Sequence, residues 1–401
     1  MKYFLISISI LFLLFSCEKK DQEVLIFNTK PAKEFIDLMN YLEKKSLSGF
    51  DNKDISPKTK QEVYQKNLKD TLLNNKICKL LDLPTYSVLE EITTVFIDTN
   101  KIHGKDAYSL AFLNLPYNVV SMSGGLSDSW VEFWKSKKNE KAMGFINNIT
   151  SRSKTITEHT LNFAGEYLPS DINDPRTIET VFCIDGNRGS FTIDEKIYID
   201  LLDFDNFNPD RFTKILAHEY HHVIYEKWLD DYNPSRKSSK IKEVVFDFQK
   251  GIIMEGLAQQ INSDDYSPQI MELYNNKDLI KELQDNWVRA LKNIINSNNP
   301  FKTFEAEEGK MWDNSIPLLK RYSTGKIEEG TYSHRPSTIY YLGYHLYHSI
   351  LKNGGKKNID LAITHPDQVL EIYNKTRNKE SIMPEFPQGI VKLWEDNFKT
   401  E

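Results

Sequence analysis

Apolar positions recur at helical spacing through most of the chain between residues 30 and 160. Phe35, Met39, Tyr41 and Leu42 mark one amphipathic stretch, and Leu80 to Thr94 and Trp130 to Ile149 mark two more, each of which predicts a helix. Near residue 177 the period shortens. Thr180-Val181-Phe182-Cys183-Ile184, Phe191-Thr192-Ile193 and Ile197-Tyr198-Ile199 are β-rich runs, with a turn signal at Asp185-Gly186-Asn187-Arg188-Gly189, and they predict a hairpin or a small sheet. Helical periodicity then returns over 209–229, about 240–262, about 277–297 and 337–352, where Gly354-Gly355 predicts an end. The class is therefore α+β, mostly helical, with a small β-sheet preceding the helix at 209–229. We find no internal repeat and no low-complexity linker. The pattern predicts one domain over 25–401, with an N-terminal helical part to about 170 and a second part over about 175–375; a separate N-terminal helical subdomain is the alternative.

The first residues carry a different kind of signal. Met1-Lys2 is followed by an apolar run from Tyr3 to Phe15 and then by Ser16-Cys17-Glu18-Lys19-Lys20. The run is shorter than the ~20 apolar residues that a membrane-spanning helix needs, and it stops at a small residue, so it predicts an export signal over 1–16. Leu14-Phe15-Ser16-Cys17 resembles a lipobox. That resemblance implies cleavage before Cys17, lipid on Cys17, a tether over 17–24 and an address in the cell envelope, at the outer membrane.

Composition narrows the chemistry. The formal net charge is -6 and no Lys/Arg-rich block is paired with aromatics, which argues against nucleic acid as a partner. The three cysteines, Cys17, Cys78 and Cys183, form no CxxC or other ligand cluster, so any metal must use histidine and carboxylate. Cys78 and Cys183 either pair or are two separate thiols. Tyr117, Ser121, Ser123, Gly124 and Gly125 lie in a stretch that reads as a loop; it lacks the Lys and the strand of a phosphate cradle.

Asn208 can cap a helix with Pro209 in its first position, and Phe212, Ile215 and Leu216 supply an apolar face running into His218-Glu219-Tyr220-His221-His222. This is HExxH. At 3.6 residues per turn His218 and His222 stack on one face, where two imidazoles can meet one ion while Glu219 projects beside it; Tyr220 and His221 point elsewhere, as packing residues. A zinc hydrolase needs a third protein ligand and an open position. Glu255 fits, because it sits among Ile252, Ile253, Met254, Leu257 and Ala258, where an ionised carboxylate needs compensation. A metal would provide that compensation, and pairing with Lys250 is the competing explanation.

His218-Glu219-Tyr220-His221-His222 with Glu255-Gly256-Leu257-Ala258 resembles the gluzincin metallopeptidases. With the late Gly343-Tyr344, it also looks like bacterial families described only as zinc-dependent peptidases; the resemblance covers roughly 175 to 375. It implies one zinc ion on His218, His222 and Glu255, Glu219 as general base, and a peptide substrate laid along an edge strand before the motif helix. Some gluzincins carry an Asp four residues after the ligand Glu to hold a His, whereas Gln259 stands here. The resemblance also implies a donor for the oxyanion. Tyr344 is the first candidate, with His334 and Tyr340 behind it. The alternative function is a non-enzymatic surface lipoprotein using the same scaffold for binding or assembly around structural zinc.

Overall fold

The computed structural model describes residues 24–45, 56–93, 104–115, 126–170, 172, 176–185, 189–203, 208–233, 237–266, 268–322 and 338–399. The export signal, Cys17, the Tyr117–Gly125 stretch and His334 lie outside them. The three β-rich runs are joined in one sheet by a strand that the periodicity did not announce. In chain order the strands are β1 (Leu25–Asn28), β2 (Ile178–Cys183), β3 (Ser190–Ile193) and β4 (Lys196–Asp200), and their order in the sheet is β1-β2-β4-β3. β1, β2 and β4 run parallel, with Leu25 opposite Ile178 and Thr180 opposite Ile197, and β3 runs antiparallel at one edge, with Phe191 opposite Tyr198.

The hairpin of this sheet is β3–β4, and the turn signalled at 185–189 falls largely outside the described residues. Asp194 (φ 50°) and Glu195 (φ 61°) form the two-residue turn of the hairpin. Positive φ at both turn positions matches the twist of the flanking strands, and here it is imposed on two residues that rarely adopt it.

Parallel strands cannot be joined by a tight turn, so the chain must cross over between β1 and β2. That crossover is the N-terminal helical half: α1 (Lys30–Lys45), α2 (Pro57–Leu68), α3 (Thr71–Leu81), α4 (Pro84–Thr93), α5 (Gly104–Asn114), α6 (Leu126–Lys135), α7 (Lys138–Ser151) and α8 (Ser153–Gly165). Two of the predicted helices divide. Pro84 has no N–H to continue α3 and instead opens α4, and Lys137, at φ 56°, breaks the run from Trp130 to Ile149 between α6 and α7.

After the sheet come α9 (Pro209–Tyr232), α10 (Lys240–Asn262), α11 (Pro268–Tyr274), α12 (Lys277–Ile295), α13 (Pro300–Tyr322), α14 (Thr338–Thr364), α15 (Val369–Thr376) and α16 (Gln388–Asp396). The predicted end at Gly354-Gly355 is a kink instead. Gly355 takes φ 73°, and the chain resumes its helix to Thr364.

Two hydrophobic cores result. One lies under the sheet and α1–α8, with Phe112 stacked on Trp130 at 4.4 Å; the other fills the space among α10–α16, with Phe248 stacked on Trp287 at 5.4 Å. α9 belongs to both, sending Phe212, Leu216 and Ile224 into the first and Tyr225 and Leu229 into the second. Cys78 is exposed and Cys183 is buried, and neither is in a disulfide, which removes the pairing alternative. Among the described residues no helix is long and apolar enough to cross a membrane.

Candidate metal centre

α9 starts where its local chemistry says it should. The Asn208 side chain accepts from the Asp210 amide at 2.9 Å and Pro209 occupies the first turn. Ten residues further on, the helix carries His218 and His222 at the seam between the two cores, 8% and 9% exposed, with their Nε2 atoms 3.0 Å apart. The flanking residues hold this segment of the helix in place. His221 is fully buried, its Nε2 lies 3.0 Å from the Tyr167 carbonyl and its ring stacks on Tyr225, while Tyr220 packs into the first core.

α10 returns past α9 from an N-cap at Ser239 and brings Glu255 to the same point. Its carboxylate oxygens lie 3.6 Å from His218 Nε2 (Oε2) and 3.6 Å from His222 Nε2 (Oε1). Lys250 does not compensate it. That ammonium pairs with Glu226 at 2.5 Å and with Asp230 at 3.5 Å. The depth at which α10 sits is set by a crossing with α14. A Cβ on Gly256 would stand 2.6 Å from the Gly343 carbonyl oxygen, and one on Gly343 would stand 2.6 Å from the Ile252 carbonyl oxygen. Only two glycines let these backbones touch.

One ligand atom from each of His218, His222 and Glu255 lies within 4.8 Å of the others. Donors about 2.0–2.1 Å from a tetrahedral zinc ion are separated by roughly 3.3–3.4 Å, and the distances of 3.0 and 3.6 Å bracket that value. Two facing ring nitrogens repel unless a proton or a cation lies between them, and Glu255 Oε2 is buried without a hydrogen-bond partner. The residues therefore fit a divalent ion. Burial opposes ionisation of Glu255, but His222, His218 and Tyr340 together hold it below the ordinary carboxylate range. Glu219 is 6% exposed, and burial pushes it up to about 7; His222 opposes that rise and Glu255 adds to it.

Residues 25–381 match a family whose description reads "Putative zinc dependent peptidase". The chain belongs to this family. No curated protein and no solved structure matches it. The family match begins at β1 and runs past α15, so it takes in the sheet, the first core, most of the second, and His218, Glu219, His222 and Glu255.

A phenol on which the charges of Glu255 and Glu219 both bear is Tyr340 of α14, and they raise its pKa. Tyr344, one turn further along α14, stacks on His348, meets Tyr274 edge-on and feels the charge of Asp264. Tyr266, just after α10, is a further phenol under the influence of Glu255 that periodicity did not mark. The Gln259 carbonyl oxygen is buried and makes no hydrogen bond, so it does not hold an imidazole as the Asp of some gluzincins would.

Proposed function

We propose that the protein is a zinc-dependent peptidase in which His218, His222 and Glu255 hold one ion and Glu219 is the general base. The convergence of two imidazoles from α9 and a buried carboxylate from α10, with Glu219 beside them on the same helix, carries this reading. Zinc, when bound, supplies positive charge that polarises a peptide carbonyl and brings the pKa of water to about 7. Everything else falls to the chain. Glu219, poised near neutrality by burial, takes the proton of the attacking water and passes it to the leaving amine. The edge strand β3, antiparallel to β4 and packed over α9, offers backbone groups to an extended peptide. We assign no oxyanion role to Tyr344, because its neighbours are Tyr274, His345 and His348.

The test is a proteome-wide cleavage profile of the 18–401 protein with and without chelator, repeated with Glu219→Gln. The amide cannot accept a proton but leaves both imidazoles and Glu255 in place. Zinc should stay bound while turnover falls by roughly 10²–10⁴. Wild-type cleavage by Glu219→Gln would remove the motif from the active site and put a binding scaffold with structural zinc in its place. The envelope address belongs to the same proposal: Cys17→Ser should move the protein from the membrane fraction to the soluble one, and a wild type already soluble without detergent would refute the lipid anchor.

A further inference from the structure

α9 and α10 are the two arms of a helical hairpin, and the ligands they carry meet only at one splay of those arms. His222 lies about 16 Å along α9 from the base of the hairpin at Asn233, at 1.5 Å per residue. A ligand set works only when it is held within roughly 0.5 Å, and over such an arm a change in splay of about 2° already moves an imidazole that far. Something must therefore fix the base.

The C-terminal segment does so, and it lies beyond residue 381, where the family match ends. α16 is anchored by Trp394, which is fully buried and donates to the Pro366 carbonyl at 2.8 Å. Asn397, directly after α16, reaches both arms. Its backbone carbonyl accepts from the Asn233 side chain at the end of α9 at 3.5 Å, and its own amide donates to Gln249 Oε1 at 3.0 Å and to the Lys242 carbonyl at 3.4 Å, both on α10. Phe398 spans the same gap with its ring, edge-on to Phe246 of α10 at 5.6 Å and to Tyr232 of α9 at 6.3 Å. Asn233 and Gln249 are fully buried and Asn397 nearly so, and amides at such depth bond to protein rather than to water. Lys250 also joins the arms, through Glu226 and Asp230, but those carboxylates are partly exposed and such pairs restrain little. The buried bridge runs through Asn397.

We propose that Asn397 is a positioning residue for the metal centre: by joining the end of α9 to the first half of α10 it sets the splay at which Glu255 meets His218 and His222. The inference rests on the zinc reading above and adds a residue outside both the motif and the family match. Coupling between two sites is reciprocal, so zinc tightens the docking of residues 388–399 by the same factor by which that docking tightens zinc, typically about 5- to 150-fold.

Hydrogen exchange of the intact protein, with and without zinc, tests the coupling with no variant at all. Saturating zinc should slow the amides of 388–399 by at least about 5-fold and leave those of α2 and α3 as they were. No slowing, or equal slowing in both regions, would overturn the proposal, since the latter reports only global stabilisation. Zinc affinity by competition with a chromophoric chelator is the second arm. Asn397→Ala, checked for folding by far-UV circular dichroism, should bind zinc at least about 5-fold more weakly. Asn67→Ala is its control, because Asn67 is also buried and donates to the Leu113 and Leu115 carbonyls at 3.0 and 3.1 Å, away from the α9–α10 hairpin; it should lower stability and leave zinc affinity at the wild-type value. Wild-type affinity in a folded Asn397→Ala protein, or the same loss in Asn67→Ala, would overturn the role of Asn397 while leaving the centre standing. A wild type that fails to bind zinc would instead overturn the reading of the centre, and this inference with it.

Discussion

The two cores differ in how their large polar side chains are placed. In the N-terminal one a group of them is tied together: Tyr108 donates to Asp185, Trp130 donates to the Asp185 carbonyl at 3.0 Å, and Asp200 accepts from the amides of Asp185 and Leu202 at 3.1 Å each. In the C-terminal core the hydroxyls of Tyr341 and Tyr347 and the Trp287 indole N–H find no partner, and a carboxylate, Glu255, stands at its margin with an unbonded oxygen. A buried polar group without a partner costs about 1–3 kcal/mol, so Glu255 gains from a ligand. The first core frames the sheet and the start of α9, and its unpartnered groups are the smaller Thr160 and Thr180 hydroxyls and Glu90 Oε1. The second presents Glu255 to the histidines.

Breaking the seam should have the largest effect. His222→Ala removes one of the two imidazoles and should lose both zinc, by elemental analysis, and peptidase turnover; retained stoichiometric zinc would place the ion elsewhere. Next in size is a matched pair of core truncations. Trp130→Ala and Trp287→Ala should each lower unfolding stability by about 3–5 kcal/mol in denaturant titrations, since both rings are fully buried. Only Trp287→Ala should also weaken zinc, because that ring stacks on Phe248 of α10, the helix that carries Glu255. Equal effects on zinc would mean that the two cores do not differ in this way. The smallest change is Gly343→Ala. One methyl forced against the Ile252 carbonyl should cost about 1–3 kcal/mol and loosen zinc binding, whereas Gly309→Ala, which meets nothing within 4 Å, should do neither.

Local patterns were readable wherever the cause is local. The capped start of α9 and the stacking of His218 on His222 follow from short-range backbone geometry. β1 escaped because four residues carry too little periodicity and its partner, β2, lies some 150 residues away; Asn28 reaches Glu179 across that separation at 2.8 Å. The division of the run from Leu80 to Thr94 turned on Pro84, whose missing N–H outweighs an apolar repeat. The β3–β4 turn carried no signal because Asp194-Glu195 is a poor turn pair on its own propensity, held at positive φ by the pairing of β3 with β4.

By itself the amino-acid order determined the helical bias, the short β-rich stretch before α9, and the histidines with Glu219 beside them, because each depends on residues within one or two helical turns. It also pointed to Glu255 through the cost of a carboxylate among apolar neighbours. Tertiary structure alone decided that the charge of Glu255 bears on Tyr340 and that of Asp264 on Tyr344. Both phenols share one helical stripe, and the choice between them rests on how deeply Gly256 and Gly343 let two backbones approach, a distance no single helix encodes.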